Sequence, residues 1–173
     1  MNPQRAENSI MTPDAYLLLE ESSELRYEYI DGQVYAMVGS TINHNRITMN
    51  IAREFGNHLK NTPCETFSAD IKLKLGSDYV YPDVVVDCQA HENMLTTPVL
   101  IVEVLSKSTR KKDTTKKLIR YINLPSLQEY VMIEQDFVSV QVLRRSNDWK
   151  TEYYYWGDAI TFASINVTLS VED

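Results

Sequence analysis

Two acidic residues stand inside apolar stretches of the sequence, and their type and position could support chemistry. Glu103 interrupts the apolar run of residues 99–105, and Asp83 directly precedes the run 84–86. An ionised carboxylate is costly to bury unless a cation, a proton or hydrogen bonds compensate it. Two acids on adjacent strands can share an oxygen-ligated divalent ion such as Mg2+. For each acid alone, a structural role opposite an arginine or a helix N-terminus is the alternative.

A second set of polar residues follows at helical spacing. Asp113, Lys117 and Tyr121 are four residues apart, which places them on one stripe of a helix. The stripe borders the apolar side of this helix, so the lysine can extend toward the sheet while its stem stays packed. Lys117 could then orient or activate an attacking water, with Asp113 and Tyr121 in support. The alternative is an exposed pair between Asp113 and Lys117 that contributes little to stability.

These residues must be positioned by a mixture of helices and strands. Capping residues at Thr12, apolar positions at every fourth residue and a terminating Pro125 predict helices at about 13–21, 43–60 and 110–123. The Asp31-Gly32 hairpin signal and alternating or β-branched runs predict the strands. Those strands cover 26–30, 33–38, 67–75, 79–86, 99–105, 129–134, 137–145, 150–156 and a last stretch at 160–169. Pro82 within the 79–86 run marks a strand start, an edge or a bulge.

Length and composition favour one domain. The chain has 173 residues, of which 43% are hydrophobic and 24% charged, so we expect a single mixed α/β domain over residues 12–173 after a flexible tail of residues 1–11. Two cysteines outside any paired motif favour a reducing cytoplasm. No apolar run approaches the roughly 20 residues that would span a bilayer.

The net charge of -7 argues against tight binding of nucleic acid through bulk positive charge. Its distribution weakens that objection, because residues 107–120 hold seven basic residues and one acidic residue. This basic stretch follows Glu103 directly, so a phosphate could meet positive charge near the proposed metal. The sequence therefore predicts four substrate-binding residues: Lys107, Arg110, Lys111 and Lys112.

An ordered set of motifs resembles the PD-(D/E)XK nuclease superfamily, and within it the bacterial restriction endonuclease family of the DUF820 type. The resemblance runs from about residue 12 to the end of the chain. It rests on the segments 27–32, 43–44, 82–83, 102–109 and 127–130 together with the residues Asp113, Lys117 and Tyr121. A Pro-Asp pair alone would carry no weight, whereas the set in this order is specific.

The resemblance implies a restriction-endonuclease-like core, with a mixed β-sheet flanked by helices. It also implies that Asp83 and Glu103 bind Mg2+, for which Mn2+ can substitute, with Glu28 as a further acid. The superfamily signature has a lysine two residues after the second acid, where this chain has Leu105. In this branch the lysine has moved to the following helix, where Lys117 matches.

Three further residues are candidates with open alternatives. Asp70 lies on the polar side of its predicted strand and could add a metal ligand or be a solvated hairpin residue. Glu28 lies between two tyrosines before the hairpin turn and could belong to the site or to the surface. His44 could contact a phosphate or serve only at the start of its helix.

The sequence therefore predicts a metal-dependent endonuclease that hydrolyses DNA phosphodiester bonds with a metal-activated water. The alternative is a catalytically inactive module of the same fold that binds DNA or a protein partner, a reading that Leu105 supports. We expect DNA as the partner molecule and a homodimer in the cytoplasm, with no association with membranes.

Overall fold

The computed structural model describes residues 10–90 and 93–173. The tail predicted at residues 1–11 therefore lies outside the described residues, except for residues 10 and 11. Twelve strands are described: β1 (Tyr27–Ile30), β2 (Gln33–Ala36), β3 (Glu65–Ser68), β4 (Leu73–Leu75), β5 (Asp78–Val80), β6 (Val84–Asp87), β7 (Pro98–Leu105), β8 (Glu129–Glu134), β9 (Val140–Arg144), β10 (Thr151–Tyr154), β11 (Ala159–Phe162) and β12 (Val167–Ser170).

The strands form two sheets and a separate C-terminal hairpin. The large sheet has the order β10–β9–β8–β7–β6–β3, and its only parallel pair is β7–β8 among the described strands. The small sheet has the order β2–β1–β5–β4 and is antiparallel throughout. The hairpin consists of β11 and β12. The prediction of one last strand at 160–169 is therefore wrong, because a turn divides this segment into β11 and β12.

Within residues 10–90 and 93–173, two regular helices and one composite helix lie beside the sheets. Helix α1 (Pro13–Ser22) begins at Thr12, whose hydroxyl accepts a hydrogen bond from Ala15 N, as its capping signal predicts. Helix α2 is Ile42–His58. The composite helix consists of α3 (Arg110–Lys112), a π-helical turn (Asp113–Lys117) and α4 (Leu118–Ile122). No helix in the described parts of the chain is long and apolar enough to cross a membrane.

A bent strand pair connects the two sheets, and the sequence predicted it only in part. The prediction that Pro82 marks a strand start is confirmed, because β6 begins at Val84. Residues 67–75 and 79–86 were each expected to form one strand, but each is interrupted and passes from the large sheet to the small one. The first interruption occurs at Ala69 and Asp70, whose φ angles of 53° and 49° lie in the left-handed region that ends a ladder. The second contains Pro82, which has no N–H to donate. Asp83 consequently lies where the chain crosses between sheets.

The large sheet is covered on both faces. One core packs α2 and the C-terminal hairpin against the sheet through residues such as Phe55, Val102 and Phe162. The other core packs the composite helix and the small sheet against the opposite face through Ile101, Leu105 and Tyr121. Side chains alternate along a strand, so Glu103 points into this second core. The fold therefore buries one carboxylate between the large sheet and the composite helix.

One covalent link was not predicted. Cys64 precedes β3 and Cys88 follows β6, and the two cysteines form a disulfide. The pairing of β3 with β6 brings them together. Composition could not reveal this contact, because the residues are 24 positions apart and neither belongs to a paired motif.

Candidate active site

The two acids singled out in the sequence lie opposite each other at the end of neighbouring strands. In the β6–β7 pair, Val84 faces Val102, and continuing this antiparallel register by one residue places Asp83 opposite Glu103. Opposed residues project to the same face of a sheet. Val104 N donates a hydrogen bond of 2.7 Å to Asp83 Oδ2. The crossover segment is thus fastened to the strand that carries Glu103.

The ammonium group of Lys117 lies at the centre of the acidic cluster. Its Nζ is 2.8 Å from Glu103 Oε1, 2.8 Å from Glu28 Oε1 and 3.3 Å from Asp113 Oδ1. The side chain of Lys117 is only 4% exposed. A regular surface pair between Asp113 and Lys117 is thereby excluded, because both residues are buried and the lysine contacts three carboxylates.

The helix that delivers Lys117 is locally irregular. Asp113 and Lys117 begin and end the π-helical turn, and both side chains are buried. Tyr121 follows on α4 and is fully buried, so the three residues share one stripe as their spacing predicted. Single π turns inside α-helices occur frequently at functional sites. Here the wider turn accompanies two charged side chains that must both face the sheet.

Glu28 enters the cluster from the small sheet. It lies on β1 with a side chain that is 3% exposed, and it pairs with Lys112 as well as with Lys117. Its Oε1 also accepts a hydrogen bond of 3.3 Å from Tyr81 N. Burial opposes ionisation, but the charges of Lys117 and Lys112 outweigh it and lower the pKa of Glu28 to about 2. Glu28 is therefore a buried, ionised member of the cluster.

The pKa values of the other three members of the cluster are raised, in contrast to that of Glu28. Burial raises the pKa of Glu103 to about 8, against the attraction of Lys117. Burial also raises the pKa of Asp113. For Lys117, burial opposes the charge, but Glu103 and Glu28 outweigh it and raise the pKa of its ammonium well above the ordinary range. Lys117 therefore stays protonated, whereas burial opposes the ionisation of Glu103 and Asp113.

Hydroxyl and imidazole groups complete the site. Tyr121 Oη donates a hydrogen bond of 2.7 Å to Glu103 Oε1. Tyr130 Oη donates one of 3.1 Å to the carbonyl oxygen of Asp113. His44, in the first turn of α2, places Nε2 3.2 Å from Asp83 Oδ2. The hydrogen bond with Asp83 raises the pKa of His44. These contacts fix the orientation of both sequence-predicted acids.

The donor set suits a hard divalent cation, although the site is not preformed for one. Asp83 Oδ1 and Glu103 Oε2 accept no hydrogen bond from a described residue, whereas the second oxygen of each acid is engaged. Asp113 Oδ1 is buried and accepts no hydrogen bond, although Lys117 Nζ is nearby. Carboxylate oxygens are the ligands that Mg2+ takes in proteins. No group of three or more acidic, histidine or cysteine side chains within the described ranges is already arranged around a metal position.

Several predicted site residues lie outside this cluster. Asp70 is exposed at the interruption between β3 and β4, and no hydrogen bond or ion pair joins it to another described residue. Lys107 and Lys111 are exposed. Arg110 pairs through two hydrogen bonds with Glu134. Lys112 does lie at the site, but as the partner of Glu28.

A neighbouring polar cluster anchors the crossover segment. Glu20 of α1 accepts hydrogen bonds from Tyr81 Oη and, at 2.7 Å, from Tyr27 N. Lys72 Nζ lies 3.0 Å from Glu20 Oε2. Tyr81 is two residues before Asp83 and donates its N–H to Glu28. The anchor at Glu20 therefore supports two acids of the site without touching them.

We expect Glu20→Gln to lower stability by about 1–3 kcal/mol at pH 7, because a charged acceptor of buried hydrogen bonds is lost. Burial raises the pKa of Glu20, but hydrogen bonds from Tyr81 and Tyr27 outweigh it, so the pKa lies below the ordinary 4.5. The contribution of the carboxylate is then complete above pH 4.5 and is lost as the pH falls through the lowered pKa.

Urea denaturation at pH 7 and at pH 3 tests this prediction. The curves of the wild type and Glu20→Gln should differ most at pH 7 and approach each other in acid. Glu21→Gln, an exposed neighbour on the same helix, is the matched control and should follow the wild type at both pH values. A constant difference between wild type and Glu20→Gln across this range would contradict the assignment.

Some contacts were missed from the sequence. Tyr130 was noted only as part of a motif, and the pairing of Glu28 with Lys112 was not foreseen. A phenol within an apolar strand is the signal that could have indicated Tyr130, since a buried hydroxyl needs a partner. No local signal could have paired Glu28 with Lys112, because 84 positions separate them.

Comparisons with known proteins agree with this architecture. The model of the family Uma2, described as "Putative restriction endonuclease", matches residues 13–165. Two uncharacterized proteins of Synechocystis sp. are similar over most of their length. The first, slr1290, is 33% identical over 94% of this chain and 90% of its own length. The second, sll1609, is 32% identical over 83% of this chain and 85% of its own.

A solved structure from Anabaena variabilis, described as "a putative nuclease belonging to DUF820", has the same fold. Its TM-score is 0.80 at 21% sequence identity, with 94% of this chain and 96% of that chain covered. The predicted fold class, a mixed β-sheet flanked by helices in a restriction-endonuclease-like core, is confirmed. The resemblance to the restriction endonuclease family of the DUF820 type is confirmed as well.

Proposed function

The chain belongs to the Uma2 family, and from this premise we propose that it is a metal-dependent endonuclease that hydrolyses DNA phosphodiester bonds. The observation that carries the proposal is the buried cluster in which Glu28, Glu103 and Asp113 converge on Lys117, with Asp83 hydrogen-bonded to the strand that carries Glu103. Assembling several acids in a largely buried position costs stability. A function that needs their charge accounts for that cost.

Four side chains would bind the metal ion or orient its ligands. Asp83 and Glu103 would hold Mg2+, or Mn2+ in its place, through Asp83 Oδ1 and Glu103 Oε2, which accept no hydrogen bond from described residues. Glu28 would be a further acid of the site. The bound ion would polarise the scissile phosphate and lower the pKa of the attacking water. Tyr121 and His44 orient the two metal-binding carboxylates through the contacts described above.

Lys117 would stabilise negative charge on the phosphate as the transition state forms. Its raised pKa favours this electrostatic role over removal of a proton from water. The lysine reaches Glu103 from the composite helix, whereas the usual position two residues after the acid is Leu105, a fully buried core residue. The helix thus supplies the charge that the strand lacks.

Incubation of the purified protein with supercoiled plasmid, linear duplex and single-stranded DNA tests this function. We expect nicked or linear products in Mg2+ or Mn2+ and none in EDTA. Cleavage that persists unchanged in Glu103→Gln would not arise from this cluster, and the proposed site would be refuted. Absence of cleavage with every substrate and both metals would contradict the proposed activity.

A second function is supported by one specific observation. The Lys117 ammonium already occupies the centre of the acids and neutralises them in part, so the cluster does not strictly require a metal. The protein could then be an inactive module that binds DNA or another protein. Thermal denaturation with increasing Mg2+ and Mn2+ separates the two functions. A rise in Tm that Glu103→Gln abolishes favours the enzyme, and indifference to both ions favours the module.

The proposal includes a homodimer. Each chain contributes one cluster of this kind, and cutting both strands of a duplex in one event calls for two. Light scattering coupled to size exclusion should give twice the mass of 20.0 kDa. A monomer at micromolar concentration would contradict this part of the proposal. The expected cytoplasmic location has no support from the cysteines, because Cys64 and Cys88 form a disulfide, a bond that is rare in that compartment.

A further inference from the structure

The basic stretch of residues 107–120 is mostly neutralised within the fold. Four of its seven cations pair with carboxylates: Arg110 with Glu134, Lys112 with Glu28, Lys117 with the acidic cluster and Arg120 with Asp31 and Asp78. Lys107, Lys111 and Lys116 are in no ion pair with a described residue. The positive charge available to a phosphate is therefore far smaller than the sequence suggests.

Lys116 differs from the other two because hydrogen bonds direct it. Its Nζ donates to Tyr35 Oη at 3.1 Å and to Gln33 Oε1 at 3.3 Å. Tyr35 Oη in turn donates to Gln33 Oε1 at 2.6 Å. Both partners lie on β2, which is an edge strand of the small sheet. An ammonium has three N–H donors, so one remains available to a ligand.

The Tyr35 ring connects Lys116 to the acidic cluster. Lys112 Nζ lies 5.1 Å from the ring centroid and Lys116 Nζ lies 5.7 Å from it. Lys112 pairs with Glu28, which touches Lys117. Lys116 is thus separated from the acids by a single aromatic side chain and one lysine. Its side chain is partly exposed, so a ligand can reach it.

We propose that Lys116, Tyr35 and Gln33 form a subsite for a backbone phosphate of the bound nucleic acid strand, beside the phosphate that is cut. The subsite would hold this flanking phosphate through the third donor of the ammonium and the amide N–H groups of Gln33. It fixes the register of the strand over the acidic cluster and reads no sequence. This inference rests on the proposed function.

Fluorescence anisotropy with a labelled DNA duplex and a labelled single strand tests the subsite. Ca2+ replaces Mg2+ so that binding is measured apart from cleavage, and the salt concentration is varied. For Lys116→Gln, loss of one phosphate contact should make the negative slope of log K against log salt for the duplex shallower by about 0.9, and it should raise Kd about five- to tenfold near 0.1 M salt. Tyr35→Phe, which keeps the ring and loses the hydroxyl, should raise Kd about two- to threefold.

The matched control is Lys150→Gln, an exposed lysine outside the site, which should leave Kd and slope near those of the wild type. If Lys116 only holds β2 against the composite helix, Lys116→Gln will lower Tm while Kd and slope follow the control, and the subsite is refuted. Failure of the wild type to bind either DNA refutes the proposed function and the subsite together. Binding by the wild type with equal effects of Lys116→Gln and Lys150→Gln refutes the subsite alone.

Discussion

Glu103→Gln is expected to abolish cleavage, with a loss of about a thousandfold or more, while the protein stays folded. The oxygen that accepts hydrogen bonds from Lys117 and Tyr121 can be retained by the amide, but the charge that would bind Mg2+ is lost. A group that stabilises developing charge in a water-poor site contributes effects of this size. The substitution should be tolerated, because the amide has the shape of the carboxylate and its oxygen can still accept the hydrogen bonds from Lys117 and Tyr121.

The measurement is initial nicking velocity in Mg2+, with circular dichroism and Tm recorded on the same preparations. Glu152→Gln is the matched control. Glu152 is an acid on the edge strand β10, three strands away from β7, which carries Glu103. It pairs with Arg144 and lies away from the cluster. The control should cleave at the wild-type rate. Retention of a tenth or more of the wild-type velocity in folded Glu103→Gln would remove Glu103 from the mechanism.

The core of the site was predictable from local sequence because its constraints are local. Glu103 within an apolar strand needs compensation wherever that strand lies. Asp113, Lys117 and Tyr121 share a stripe through helix geometry alone, even though the π turn was not foreseen. Predicting Asp83 and Glu103 on adjacent strands needed only the assumption that two consecutive apolar runs pair as neighbours, which consecutive strands commonly do. The register that places them opposite each other was not predicted.

The surroundings of the site could not be predicted, because they depend on contacts distant in sequence. The interruptions at Ala69 and near Pro82 send one strand pair into two sheets, and alternation of polar and apolar residues continues across the first of them. That crossover brings the small sheet, and with it Glu28, against the composite helix. The same packing neutralises Arg110 and Lys112, which the linear sequence presents as free positive charge.

The net charge of -7 therefore remains an argument against tight binding of DNA, because the basic stretch does not offset it at the surface. The basic stretch serves mainly to compensate acids inside the fold, and few cations are left for a long polyanion. Weak binding without a metal is expected on this basis, because association with nucleic acid depends on the number of phosphates neutralised. A divalent ion at the acidic cluster and the subsite at Lys116 would supply charge where the strand is cut.

Lys117→Met is expected to cost about 3–5 kcal/mol of stability, because it leaves Glu28, Glu103 and Asp113 buried around an apolar side chain. Without the ammonium the acids must take up protons to stay buried, so the pKa values of all three will rise. A raised carboxyl pKa contributes stability that is present at low pH and is lost as the pH rises. Urea denaturation in EDTA should therefore show a larger deficit at pH 8 than at pH 5.

Lys150→Met, an exposed lysine on the same chain, is the control and should stay within about 0.5 kcal/mol of the wild type. Repeating the urea curves of Lys117→Met in Mg2+ gives a second readout, since a cation bound by the acids would replace part of the missing charge. Stability equal to that of the wild type at pH 8 in EDTA would mean that the acids do not depend on Lys117. The electrostatic role proposed for this lysine, in folding and in catalysis alike, would then lose its basis.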